Sequence, residues 1–257
     1  WWLATRALRT ALEAARLTVG PACFDRRELT GLPDPVQRYF RRVLTAGQPM
    51  VRALTVEHSG TFNMGKGGDN WKPFTSGQRV YTHRPGFLWN ARVTLMPGVA
   101  VHVHDAYVAG EGTVHPALVG LFPLGRVHGK GAIAEAELMR FLAEAVCYPT
   151  ALLPSQGVAW QAVDAHSALA TLTDDGLSVS LLFCFDEAGL VESVRAEARA
   201  HVLGGKLLVL PWEGLWCDYE QHQGMWVPMR GDVRWLLPQG PKPYWRGRVG
   251  RLDYEFE

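Results

Sequence analysis

The sequence has no C-x-x-C pair. Its four cysteines, Cys23, Cys147, Cys184 and Cys217, are widely spaced, which removes the zinc-ribbon and thioredoxin-like readings. Cys147 and Cys184 sit among apolar neighbours and read as small hydrophobes. There is no G-x-S-x-G and no H-E-x-x-H, so the commonest serine-hydrolase elbow and the zincin helix are absent. Gly125-Arg126-Val127-His128-Gly129-Lys130-Gly131 is one residue short of a P-loop and lacks a Ser or Thr after the lysine. No apolar run reaches the ~18 residues of a membrane span. Neither charge sign dominates: 26 basic residues face 25 acidic ones, for a net charge of +1. The chain therefore has no global basic field to hold nucleic acid, and no cofactor is indicated.

What is present fits one sizeable core. In 257 residues, 47% are hydrophobic and 20% charged, and ten are tryptophan. A length of this order suits one large α+β domain. Residues 3–17 read as an amphipathic helix, with Arg6, Arg9, Glu13 and Arg16 on its polar stripe. The start Trp1-Trp2-Leu3, followed by those arginines, also reads as the trailing end of a membrane anchor. Both readings stay open here. A second helix is expected from Asp34, as N-cap, and Pro35, with Val36, Tyr39, Phe40, Val43 and Leu44 on one stripe.

Beyond Gly47 the hydrophobic period changes from 3.6 to 2, and short alternating stretches separated by turn residues read as an antiparallel meander. Residues 132–147 break the rhythm. Ala134, Leu138, Phe141, Leu142 and Ala145 form one helical face, and Glu137, Arg140 and Glu144 another. The β pattern then resumes, with a hairpin around Asp174-Asp175-Gly176 and strict alternation over 190–202. There Arg195, Glu197, Arg199 and His201 fall opposite the apolar set. The expected fold is α+β: a strongly curved antiparallel half-barrel wrapped on a central amphipathic helix. Residues 1–31 form an N-terminal helical segment and 32–257 a single curved-sheet domain.

The stretches L-P-D-P-V-Q-R-Y-F (32–40), G-Q-P-M-V-R (47–52), E-L-M-R-F-L-A-E-A (137–145), Y-P-T-A-L-L-P-S-Q-G-V (148–158), P-W-E-G (211–214) and P-Y-W-R-G-R (243–248) resemble an uncharacterised bacterial domain family over residues 32–257. That family carries no assigned activity and transfers no catalytic residue. The resemblance implies a bacterial protein, with cytoplasmic and membrane-associated placement both open. The run Ser76–Val103, with Arg84-Pro85-Gly86-Phe87-Leu88-Trp89 inside it, is similar to the opening of periplasmic lipoprotein carriers, which show R-P-x-x-F-x-W. Here Phe87 follows Pro85 by two positions rather than three. That likeness implies a half-barrel with acyl chains on its concave face.

Three residue sets carry chemistry. The first is acidic and phenolic. Asp105 and Tyr107 share a strand face with Val101 and Val103 and should point inward, where Arg140 or Tyr148 could partner the aspartate; the central helix adds Glu137 and Glu144. Glu213 lies between Trp212 and Trp216 in sequence, a setting that raises a carboxyl pKa toward use as a general acid or base. Against this, each reads equally as part of a buried structural network or, for Glu213, as an arginine partner.

The second set is aromatic: Phe87, Trp89, Trp160, Phe183, Phe185, Trp212, Trp216 and Trp235. It forms either a filled core or the wall of an apolar cavity. The third is His102 and His104, side by side on one strand face, with His83 or His115 as a third donor only if pairing allowed; a solvated face is the plainer account and no metal is expected. The expected function is binding of a lipid, acyl chain or other apolar molecule without covalent chemistry. The alternatives are acid–base catalysis on a small apolar substrate and a structural domain attached to a membrane through a segment preceding Trp1.

Overall fold

Turn chemistry and alternation set the strands. At Asp175-Gly176 both residues hold positive φ, 48° and 79°, as a tight two-residue hairpin requires. The computed structural model describes residues 1–17, 20–65, 68–203 and 206–256. In chain order it shows α1 (Trp2–Ala14), α2 (Asp34–Val43), β1 (Ala53–Asn63), β2 (Trp71–Tyr81), β3 (Gly86–Met96), β4 (Val99–Val108), β5 (Glu111–Leu118), and the short β6 (Phe122–Pro123) and β7 (Val127–Gly129). The central helix α3 (Ala132–Glu144) comes next, then β8 (Val158–Ala162), β9 (Ser167–Asp174), β10 (Leu177–Phe185), β11 (Val191–Leu203), β12 (Lys206–His222), β13 (Met225–Leu237) and β14 (Gly240–Glu255).

The strands make one 14-stranded sheet in the order β6-β5-β4-β3-β2-β1-β14-β13-β12-β11-β10-β9-β8, with β7 beside β5. All pairings are antiparallel. Two meanders thus meet where β1 pairs β14, and the path does not close on itself: an open half-barrel. Helix α3 links the two meanders and packs against strands of both, β3, β4, β5 and β7 from the first and β10 and β11 from the second. Its buried side, including Ala134, Leu138, Phe141 and Leu142, is the expected apolar face.

Cross-strand register stacks the concave face in rows. Tyr107, Phe87, Val80, Leu54 and Tyr254 are paired partners in one row, nearly all without exposure. The next holds Asp105, Trp89, Gln78, Val56 and Leu252; the one after it Val103, Ala91, Ser76, His58 and Val249. The first row lies at a closed end. There α2 buries Val36, Tyr39, Phe40 and Val43, with Tyr39 on Phe185 and Phe40 on Trp160. The 3-10 turns at 145–156 complete that end: Thr150 Oγ1 accepts from Val51 N–H at 3.1 Å and Cys147 C=O accepts from Tyr254 OH at 2.5 Å. Helix α2 starts at Asp34 itself, with Pro33 at the cap and no side-chain cap bond, one residue earlier than the N-cap expected there.

Helix α1 lies on the convex side, where Leu12 joins Tyr81, Leu88 and Ala106 in a small second cluster. It is shorter than the expected 3–17.

Candidate functional site

Strand alternation and helical spacing bring a charged cluster together on the concave face. Asp105 and Gln78 flank Trp89 in one register row. Arg140 and Glu144, one turn apart on α3, meet that row from above. Arg140 NH1 donates to Asp105 Oδ2 at 2.7 Å, its Nε donates to Glu144 Oε1 at 2.7 Å, and Gln78 Nε2 donates to Glu144 Oε2 at 2.6 Å. The Arg140 guanidinium stands 5.0 Å from the Phe87 ring and 4.8 Å from the Trp89 ring, where a cation gains from the π face.

A second arginine completes the cluster. Arg199 Nε donates to the Ala136 carbonyl at 3.1 Å, and its NH2 lies 3.5 Å from Glu137 Oε1. Its guanidinium is 5.4 Å from Trp212 and 5.8 Å from Trp235. Alternation alone puts Arg199 on the convex face. The β11–β12 register shifts between Ala196 and Arg199, and this bulge re-aims Arg199 and His201 inward; the His201 ring lies tilted against Trp235 with centroids 4.5 Å apart. The β13–β14 shift between Val233 and Arg234 does the same for Tyr244, which accepts from Trp212 Nε1 at 2.9 Å. No glycine or proline marks the β11 bulge, so the sequence carried no signal for it.

Three carboxylates here face two guanidiniums. Burial first, then the neighbouring Asp105 charge, pushes Glu137 up to about 7. Burial likewise raises Asp105, against the pull of Arg140 and Arg199. Asp105 Oδ1, Glu137 Oε2 and Gln78 Oε1 are buried without a protein partner. His58 is held down to about 4 by burial.

The other acid–base candidates lie elsewhere. Tyr107 OH donates to Asp174 Oδ2 at 2.8 Å, and Tyr148 OH donates to the Phe141 carbonyl at 2.8 Å. Glu213 does not sit between the two indoles. Its register partners Arg195 and Arg234 flank it on the opposite, convex face and both ion-pair with it, leaving it 0% exposed. Of the histidines, His104 shares a hydrogen bond with Thr5 Oγ1 at 2.9 Å and stacks on Trp1 at 3.6 Å, with His102 and His115 beside that indole. Among the described residues no three His, Cys, Asp or Glu side chains gather as a metal site.

The aromatic set divides by position. Phe87, Trp89, Phe183, Phe185, Trp212 and Trp235 are buried; Trp160 and Trp216 are half-buried. Away from the closed end, the concave wall turns small. Gly60, Gly247, Gly231 and Trp216 are cross-strand partners across β1, β14, β13 and β12. The Trp245 ring lies over Gly247 and the Trp216 ring over Gly231, so close that a Cβ on Gly247 would meet Trp245 at 2.1 Å. Trp245 also touches Phe74 at 5.5 Å, and Tyr244 touches Phe62 at 5.9 Å and Trp235 at 5.6 Å. Phe62, Trp216, Tyr244 and Trp245 are half-buried and pack against the core. Sequence reasoning missed Tyr244 and Trp245, which sit in the P-Y-W-R-G-R stretch.

The model of the family of unknown function DUF6920 matches residues 30–254. The chain belongs to this family. No curated protein matches it in sequence. Among solved structures it is similar to a LolA superfamily protein from Nitrosomonas europaea, at 10% identity, covering 85% of this chain and 90% of that one with a TM-score of 0.37. It is also similar to a β-barrel-like protein of the unknown-function domain DUF1849 from Brucella abortus, at 13% identity, 80% and 99% coverage and a TM-score of 0.23. At these scores neither likeness bears on function.

Proposed function

We propose that this chain binds an apolar or amphiphilic small molecule, such as a lipid or acyl chain, on the concave face at its open end. One observation carries the reading. The concave wall is fully packed at the closed end, yet toward the other end it leaves Phe62, Trp216, Tyr244 and Trp245 only partly buried over a floor of glycines. Aromatic area left partly open inside a curved sheet is area a ligand can cover. The charged cluster adjoins that wall through Trp89, which touches the Phe74 ring that Trp245 also touches. Native mass spectrometry before and after organic extraction tests the reading. Extractable added mass, lost in Trp245→Ala, supports it. A bare polypeptide mass that neither oleate nor dodecylamine changes overturns it.

A second reading, acid–base catalysis, is favoured by Glu137 alone. Its carboxyl sits near neutrality with one oxygen unpartnered, as a general acid or base requires. Loss of a measured turnover in Glu137→Gln, with ligand binding retained, would favour it over simple binding.

A further inference from the structure

We propose that the corner formed by the start of α1, the β3–β4 hairpin and the β5–β6 turn docks on the surface of an anionic lipid bilayer. Large apolar side chains are concentrated there in water: Trp2 is 68% exposed, Leu3 73%, Met96 60%, Leu121 74%, Phe122 64% and Leu124 58%. Isolated exposed hydrophobics are ordinary, but a contiguous group marks an interaction surface.

Three contacts show that these segments adjoin. Val119 N–H donates to the Ala100 carbonyl at 2.7 Å, tying the β5–β6 turn to the β3–β4 hairpin. A Cβ on Gly120 would lie 3.3 Å from Trp1 Cβ. Trp1 in turn stacks on His104 of β4 and touches His102 and His115. The patch borders β6, the end strand of the sheet.

Charge selects the partner. Residues 1–12, 92–104 and 117–131 contain no Asp or Glu; they carry Arg6, Arg9, Arg92, Arg126 and Lys130, the last paired with Asp175 at 3.1 Å. The arginines surround the patch. Arg6 stands 5.6 Å from the Trp2 ring, and Arg9, Arg92 and Arg126 lie close enough to depress His104, His102 and His115, although burial is the larger cause in each case. A protruding apolar edge flanked by arginines, in segments that themselves carry no carboxylate, matches a bilayer interface, where apolar side chains enter the head-group boundary and arginines meet lipid phosphates. No helix among the described residues is long and apolar enough to cross a membrane.

Co-sedimentation with vesicles tests the proposal. The chain should pellet with equal parts phosphatidylcholine and phosphatidylglycerol, and far less with phosphatidylcholine alone. Leu121→Ser with Phe122→Ser should weaken that binding about tenfold or more, with an unchanged thermal melt because both side chains are exposed. Arg9→Glu with Arg126→Glu should weaken it independently and remove its salt dependence. Absence of binding to the anionic vesicles, or binding by either double variant as tight as that of the unsubstituted chain, overturns the proposal. So does a solution dimer that Leu121→Ser with Phe122→Ser dissociates while vesicle binding is nil, which would make the corner a self-association face.

Discussion

Arg140 of α3 and Asp105 of β4 are joined across 2.7 Å, and the same guanidinium bridges to Glu144 at 2.7 Å while lying over Phe87 and Trp89. One side chain therefore fixes the central helix to the first meander by charge, hydrogen bond and aromatic contact together. Removing it strands two poorly solvated carboxylates. Arg140→Met is expected to lower stability by about 3–5 kcal/mol, measured by guanidinium unfolding. Adding Asp105→Asn and Glu144→Gln to the same variant should recover most of that loss, because the cost is the unpaired charge rather than the missing bonds.

Glu137 gives the cluster a pH signature. Its folded pKa, about 7, stands above the ordinary value of 4.5. Between those two values the folded state holds more protons than the unfolded one, so stability falls as pH rises through this window. Stability from this group is fully present below 4.5 and lost above about 7. Glu137→Gln should flatten that slope and raise stability on the alkaline side by on the order of 1–3 kcal/mol. An unchanged slope in denaturant midpoints across the window would show that Asp105 or another group carries it.

Much of this was legible from period and spacing. Asp105 shares a face with Val101 and Val103, and the i, i+4 pair Arg140–Glu144 lies off the apolar stripe of α3; both came out of alternation and helical geometry. The half-barrel on a central helix came from a meander interrupted once. Arg199, His201 and Tyr244 were not legible. A bulge adds one residue to a strand and inverts the facing of the residues beyond it, and at Ala196–Arg199 it is made without glycine or proline. Glu213 shows the opposite limit. Its sequence neighbours are indoles, but period 2 turns it away from both, and its true neighbours, Arg195 and Arg234, come from strands 18 and 21 residues distant.

The ligand reading separates two tryptophans. Trp89 is 3% exposed beneath Arg140, so Trp89→Ala should cost about 3–5 kcal/mol whether or not a ligand binds. Trp245 is half-buried on the glycine floor. Trp245→Ala should cost about 1–2 kcal/mol, since less buried area is lost, and should reduce binding of a fluorescent fatty-acid probe about tenfold. Retained probe binding in Trp245→Ala, with Trp89→Ala equally unaffected once refolded, would argue against the concave face as the site.

Two glycines in adjacent strands, Gly60 on the concave face of β1 and Gly77 on the convex face of β2, differ in what surrounds them. A Cβ on Gly60 would fall 1.9 Å from the Arg246 carbonyl oxygen, and that oxygen belongs to the backbone of β14, which cannot rotate aside as a side chain can. Gly60→Ala must therefore push β1 and β14 apart at the junction of the two meanders, where the register of both halves is set. A Cβ on Gly77 of the neighbouring β2 meets nothing within 4 Å. There an alanine restricts the unfolded chain and improves the strand, worth about 0.5–1 kcal/mol. The two substitutions are chemically identical and sit in adjacent strands, so propensity alone gives them the same sign. Steric contact gives opposite signs: Gly60→Ala destabilising by about 2 kcal/mol or more, Gly77→Ala neutral to stabilising. Paired urea midpoints decide the matter, and two stabilising results would mean that the strands at the β1–β14 seam separate more easily than this close approach implies.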